Sequence, residues 1–252
     1  MFMPLVSVII CTNRNDTYLD EAVNSIVFQT YPKVEILLVV NNVSDIIYNE
    51  IVCKFRYIKN LTIYRTKIHG VMSSRNLGLH YSNGKYVAIM DSDDISELTR
   101  IEQQVAFLEI NTHVDVCGSN YYIIDENGIK LNEVSLPQYG LDKLFWRKNP
   151  ICHPTCLIKK ETLLSSGGYS GYSAEDYELW LRLLVKNVEF RNISSYLLGY
   201  RVPITSRERF SKLAYVHVAG AQLKMFLLTW NLKWIFGVFL TIIKMLCKSK
   251  QE

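Results

Sequence analysis

Residues 86–94 read Tyr-Val-Ala-Ile-Met-Asp-Ser-Asp-Asp, five apolar residues running without a break into three carboxylates. A short apolar run of this kind reads as a strand buried on both faces. The acids then emerge at its carboxyl end, which is where open α/β sheets bind ligands. Upstream, Leu5–Cys11 (LVSVIIC), Glu35–Val40 (EILLVV) and Leu61–Arg65 repeat the strand pattern. Between them, Leu19, Ala22, Val23, Ile26 and Val27 recur at helical spacing behind a capping Asp16 or Thr17, and further helices fit 44–55 and 71–81. Downstream, Ser96 is expected to open a helix reaching about Ile110, with a strand at Val114–Cys117. Strands alternating with helices predict an α/β fold: a mostly parallel sheet with helices on both faces.

The pattern changes after residue 118. Tyr121–Ile124 and Ile129–Glu133 flank Asp125-Glu126-Asn127-Gly128, a hairpin turn signal. A Gly/Ser-rich loop at 165–173 precedes a predicted helix at Glu175–Lys186, and short strands are expected at 188–193 and 196–202. From about Phe210 to Cys247 the chain reads as helical. The organisation expected is one domain over 1–205, divided into halves at 118/119, with an appended helical segment over 206–252.

Composition narrows the function classes. Of 252 residues 49% are hydrophobic and 21% charged, which excludes disordered and collagen-like chains. Residues 201–252 hold 9 Lys and Arg against 2 Asp and Glu, while 1–200 are slightly acidic. The basic tail therefore suits phosphates, as lipid headgroups or nucleic acid. Its aromatics lie among Leu, Ile and Val, which argues against nucleic acid. Six scattered cysteines suit a reduced, cytoplasmic chain. The apolar run 234–243 is ten residues long, half of the ~20 needed to span a bilayer. With Lys233, Lys244 and Lys248 close together on one side and Trp234, Ile235, Val238 and Ile242 over the remainder, this helix fits a membrane surface. It could equally pack its apolar side on the domain.

Three local features could carry chemistry. Asp91, Asp93 and Asp94 suit Mg²⁺ or Mn²⁺ shared with a substrate's phosphates, or simply a solvated helix cap. Glu175-Asp176 opens a helix, where acids also serve the dipole. Arg75 suits a phosphate or base, or an ordinary surface. Cys152-His153 with Cys156 lacks the second pair of a zinc site. The sequence contains no Gly-rich dinucleotide or P-loop motif and no nucleophile elbow.

Taken in order, VSVIICTNRNDTYLDEAVNSIVFQTYPKVEILLVVNN, GVMSSRNLGLHYSNGKYVAIMDSDD and GGYSGYSAEDYELWLRLL resemble the family 2 inverting glycosyltransferases of GT-A fold, over about Leu5 to Arg201. The resemblance implies that Thr12 lines a nucleobase pocket and that Arg75 contacts the nucleotide. Asp91 and Asp93 would form the DxD motif, the first near the ribose and the second on a divalent cation, Mn²⁺ or Mg²⁺. Asp176 matches the catalytic base. His153 and Glu175 are assigned to the acceptor or diphosphate side. Where the family has Asp-Asp after the second strand, this chain has Asn41-Asn42; the Asn42 carbonyl can still accept from uracil N3–H, without charge assistance. Asn13 and Arg14 replace the usual Tyr-Asn.

The resemblance further implies a UDP-sugar donor and a saccharide acceptor, lipid-carrier-linked, in O-antigen or capsule biosynthesis, on the inner face of the cytoplasmic membrane. Asp176, at an ordinary carboxylate pKa, would be ionised at neutral pH. Two other readings use the same residues. DSDDI approximates the nucleophile motif of haloacid-dehalogenase-type phosphohydrolases, though about ninety residues precede it. Asn41-Asn42 would also suit a non-catalytic nucleotide-sugar binder. A nucleotidyltransferase would need glycines in place of Cys11-Thr12-Asn13-Arg14.

Overall fold

The structure is a computed structural model that describes residues 3–171, 173–202 and 211–248. The expected boundary at 205/206 and the expected helix start near Phe210 lie outside the described residues. In chain order the elements are β1 (Val6–Thr12), α1 (Thr17–Val27), β2 (Val34–Asn41), α2 (Asp45–Phe55), β3 (Leu61–Thr66), α3 (Val71–Tyr81) and β4 (Tyr86–Asp91). Then follow β5 (Ile95–Ser96), α4 (Arg100–Ile110), β6 (Val116–Ile124), β7 (Lys130–Val134), β8 (Leu157–Lys159), α5 (Lys160–Ser165), α6 (Glu175–Val185), β9 (Phe190–Arg201), α7 (Lys212–Thr229) and α8 (Lys233–Lys248).

These strands form one sheet in the order β3-β2-β1-β4-β8-β6-β9-β5, with β7 paired to β6. The β3-β2-β1-β4 part is parallel. Beyond β4 the sheet is mixed: β8 runs antiparallel to both β4 and β6, while β6 and β9 are parallel. Alternation along the strands feeds two cores. Val6, Val8 and Ile10 pack with α1, α2 and α4, whereas Ile9, Val87 and Ile89 face Leu79 of α3, Trp180 of α6, Met225 of α7 and Trp234 of α8. Helices therefore cover both faces, as α/β patterning requires.

Four expectations changed in detail. Ser96 does not open a helix; Ile95 and Ser96 pair antiparallel with Gly199 and Leu198, and the Ser96 amide donates to Ser25 Oγ at 3.0 Å. Gln29 delays the helix to Arg100, because its side chain donates to Glu97 O and accepts from the Ile101 amide. The strand expected at Val114–Cys117 starts at Val116 and runs on through Tyr121–Ile124 as one long strand. The strands expected at 188–193 and 196–202 are likewise one strand: its register with β6 jumps between Ile193 and Tyr196, so Ser194 and Ser195 bulge without breaking it.

The fourth concerns the C-terminal helix, which is two helices broken at Trp230 (φ 50). In α8, Trp234, Gly237 and Thr241 are buried against the domain. The opposite side, with Phe236, Phe239, Ile243 and Leu246, is exposed. The helix is thus apolar on two faces, one buried and one open, and the expected membrane-facing Trp234 is on the buried one.

Helix α6 is anchored by Trp180, which is fully buried between His153 and Phe190. Trp180→Ala is expected to lower unfolding stability by about 3–5 kcal/mol, measured by urea denaturation; a loss below 1 kcal/mol would show that α6 is held elsewhere.

Candidate active site

The carboxyl ends of β1, β2 and β4 lie side by side, Cys11 opposite both Val39 and Asp91. Two cavities open there. The smaller, about 200 Å³, is lined by Thr12, Asn13, Asn41, Asn42, His69 and Gly70, among others. The larger, about 580 Å³, takes Arg75, Asp91, Asn149, His153, Glu175 and Asp176 into its wall. Of the residues singled out by sequence, Thr12 and Asn42 thus share one cavity and Arg75, Asp91, His153, Glu175 and Asp176 share the other. Asp93 lines neither.

Arg75 joins the two motifs that flank the larger cavity. Its guanidinium donates to Asp91 Oδ1 at 3.1 Å and to Glu175 Oε1 at 2.5 Å, and its side chain is only 7% exposed. Burial opposes its charge, but Asp91 and Glu175 outweigh that and hold it charged. Below it lies the Tyr169 ring, 5.5 Å away. Tyr169 in turn hydrogen-bonds His153 Nε2 through its hydroxyl at 2.9 Å. Its main chain exchanges two hydrogen bonds with the Asn76 side chain. Burial, then the Arg75 charge, push the His153 pKa well down, so this histidine is neutral.

Asp176 stands half-buried in the first turn of α6, where Asn149 Nδ2 donates to its Oδ2 at 3.1 Å. Burial, with the charge of Glu175 beside it, raises its pKa to about 6. The ordinary carboxylate value expected from sequence is corrected upward. Ala174, just before the helix, adopts φ 59 and ψ 41. A left-handed alanine stores about 1 kcal/mol, and here it sets the angle at which Glu175 and Asp176 enter the cavity wall.

The acidic turn after β4 is held by two arginines to which the sequence reading gave no role there. Arg14 pairs with Asp93 at 2.9 Å and with Asp16 at 3.0 Å. Arg201 is nearly fully buried; it donates from Nε to Asp93 O and from its main-chain N–H to Asp94 Oδ1, and pairs with Glu21. Burial and then the Asp91 charge raise the Asp93 pKa, against Arg14. Among the described residues no three His, Cys, Asp or Glu side chains group to hold a metal ion.

In the smaller cavity Asn41 is fixed, donating to Gly70 O and Ser74 Oγ at 2.8 and 2.6 Å. Asn42, at φ 50, is exposed and unconstrained by that network. Thr12 Oγ1 donates to Arg14 O and accepts from the Arg14 amide, closing the turn after β1. Asn149, Tyr169 and Arg201 could have been sought from sequence only as polar side chains beside apolar runs, a weak signal.

Residues 7–167 match the model of Glycosyl transferase family 2. The chain is 32% identical over 233 residues, 89% of its length and 90% of the relative's, to the O-antigen biosynthesis glycosyltransferase WbnJ of Escherichia coli. It is 30% identical over 200 residues, 79% of its length and 78% of the relative's, to the E. coli UDP-Glc:alpha-D-GlcNAc-diphosphoundecaprenol beta-1,3-glucosyltransferase WfaP. The fold is shared with S. aureus TarS 1–349, whose crystal structure is a complex with UDP-GlcNAc: TM-score 0.67, 22% identity, covering 87% of this chain and 66% of that one.

Removing the arginine at the junction tests how the two motifs are held. Arg75→Met is expected to cost about 3 kcal/mol, because Asp91 and Glu175 are left without their cation. Arg75→Met with Glu175→Gln is expected to recover part of it. Chemical denaturation of both variants at neutral pH reads this; equal loss in the two would show that Glu175 does not depend on Arg75.

Proposed function

The chain belongs to glycosyl transferase family 2 and is a glycosyltransferase, and from that premise we propose that it moves a hexose or N-acetylhexosamine from a UDP-sugar to a saccharide on a lipid-diphosphate carrier. The transfer inverts the anomeric centre and contributes to a surface polysaccharide such as O-antigen or capsule. The observation that carries this reading is the larger cavity, which takes Arg75, Asp91 and Asp176 from three separated stretches into one wall. The names of the E. coli relatives support the acceptor class and the pathway. Among the described residues no helix is long and apolar enough to cross a membrane. A peripheral position on the cytoplasmic face of the membrane fits this and the basic C-terminal segment.

In this reading residues 1–118 hold the donor and 119–205 the acceptor. Thr12 and Asn42 receive the base, and Arg75 and Asp91 the nucleotide. An acceptor hydroxyl attacks the anomeric carbon, the bond to the diphosphate breaks with its electron pair leaving on the phosphate oxygen, and Asp176 takes the hydroxyl proton. A carboxylate raised to about 6 is still ionised at pH 7, yet more basic than an ordinary aspartate. Asn149 orients it. Glu175 holds Arg75 in position, and neutral His153 supports the cavity wall on the acceptor and diphosphate side.

Asp93 and Asp91 suit a divalent cation, Mg²⁺ or Mn²⁺. Mg²⁺ usually takes only one or two carboxylates from a protein and fills its shell with water and substrate phosphates. The raised pKa of Asp93 marks a turn in which a cation would relieve carboxylate repulsion. Bound there with the donor, the ion would supply charge neutralisation for the departing diphosphate, and Arg14 would have to release Asp93.

A mass-spectrometric screen of UDP-glucose, UDP-galactose, UDP-GlcNAc and UDP-GalNAc with Mn²⁺ and sugar-diphosphate-lipid analogues tests the reading. Transfer from one donor is expected. No transfer from any, with folded protein, would overturn it. Asp176→Asn is expected to lower turnover about 10²–10⁴-fold. Because the base must be deprotonated, kcat/KM should rise with pH through about 6 and level off above it; a profile flat from pH 5 to 8 would remove Asp176 from that role. Asp93→Ala is expected to weaken Mn²⁺ binding in the presence of UDP about tenfold or more by electron paramagnetic resonance, with unchanged binding counting against a metal at Asp93.

A further inference from the structure

A second cleft, about 340 Å³, adjoins the catalytic cavity and shares Asn149, Ala174 and Asp176 with it. Its rim carries Arg147, Lys148 and Lys244, and its floor Gln222 and Thr241. The stretch bearing two of the rim cations is fixed by three successive carbonyls. Tyr177 of α6 donates to Phe145 O, Gln222 of α7 donates to Trp146 O at 3.0 Å, and Lys244 of α8 donates to Arg147 O at 3.1 Å. Thr241 Oγ1 donates to Gln222 Oε1 at 2.8 Å, which locks α8 onto α7 at the same point. A Cβ on Gly237 would come within 2.3 Å of Trp146 O, so this close seating depends on a glycine.

Three helices therefore fix the main chain at 145–147, beyond which the Arg147 and Lys148 side chains face solvent. Arg147 and Lys148 are exposed, and among the described residues no carboxylate pairs with either. Among the described residues Asp176 is the only acid in the cleft wall. Asn149, the next residue, hydrogen-bonds Asp176. The cations thus stand one and two residues from the group that contacts Asp176, about 4–8 Å along the chain at 3.8 Å per residue. A saccharide lying across the shared wall would present a hydroxyl at Asp176 and an anion at the rim. On α8 the exposed Leu240 and Ile243 flank Lys244, with Phe236 and Phe239 exposed further round the same helix, and α7 exposes Leu223, Leu227 and Trp230. An anion site bounded by open apolar side chains matches a headgroup whose other end is hydrocarbon.

We propose that the Arg147–Lys148–Lys244 rim holds the diphosphate of a polyprenyl-diphosphate-linked acceptor, with the exposed side chains of α7 and α8 resting on the membrane from which that lipid projects. The proposal deepens the glycosyltransferase reading and rests on it for the role of Asp176. It orients the molecule: the open face of α8 lies against the bilayer and the catalytic cavity opens beside it.

The test is sedimentation of the full chain with phosphatidylcholine vesicles containing either undecaprenyl diphosphate or phosphatidylglycerol at equal surface charge. The parent is expected to bind the diphosphate vesicles about tenfold more tightly or better. Arg147→Gln with Lys148→Gln should erase that preference, while Lys59→Gln with Lys67→Gln, which removes the same charge elsewhere, should keep it. Phe236→Ser with Phe239→Ser should weaken binding to both vesicles alike. A parent without preference, a rim variant that retains it, or a Phe variant that binds unchanged would overturn the proposal. Lys148→Gln, a single exposed change that leaves the three loop-fixing hydrogen bonds in place, gives the same readout should the double rim variant fail to fold. No donor enters the assay, so failure of sugar transfer and failure of this binding are separate results.

Discussion

The geometry of the cleft depends on one buried cation. Arg75 rises from α3, on the same side of the sheet as α6, and pairs with Asp91 at the end of β4 and Glu175 at the start of α6. Neither carboxylate could be buried as deeply alone, since an unpaired charge in the interior is far costlier than a paired one. The pairing joins segments a hundred residues apart. It also leaves Asp176, the neighbour of Glu175, turned to the cavity with Asn149 as its hydrogen-bond partner. A donor diphosphate arriving near Arg75 would compete with both carboxylates for the same guanidinium, so donor binding and the placement of α6 are electrically linked.

Behind that cation runs a supporting stack: Tyr169 under Arg75, His153 against Tyr169, Trp180 beside His153, Phe190 beyond. Its members come from the loop before α6, the turn before β8, α6 itself and β9. The stack is buried deeply enough to hold His153 neutral, and the Tyr169 hydroxyl is spent on His153 Nε2 within it. Such a backing keeps side-chain positions within the tolerance that transfer chemistry demands.

Much of this was legible in the sequence, for physical reasons. β1, β2 and β4 are parallel and buried on both faces, so they appear as nearly unbroken apolar runs, and Asp91 and Asp93 follow the last of them. Asp176 could be found because three motifs in order point to one family. The rest was hidden by tertiary effects. Ser96 carries a capping signal that its pairing with Leu198 overrides, and the Gln29 side chain caps the helix further on by accepting from the Ile101 amide. Trp230 ends α7 in a left-handed conformation that no residue type there advertises. The raised pKa of Asp176 arises first from burial, which has no signature along the chain, and then from Glu175 beside it. The roles of Arg14 and Arg201 in holding the acidic turn were hidden because Asp93 lies 79 residues from Arg14 and Glu21 lies 180 from Arg201.

The place of β8 has a consequence for how the chain is made. This three-residue strand fills the gap between β4 and β6, yet it is synthesised about 65 residues after β4 ends. At roughly 5–20 residues per second the edge of β4 stands open for about 3–13 s on the ribosome. An open edge with Val87 and Ala88 on it is a template for pairing with a foreign strand. Nascent chains of this fold therefore have a window of self-association that closes only when residues 157–159 emerge, and slower translation across 92–156 would lengthen it.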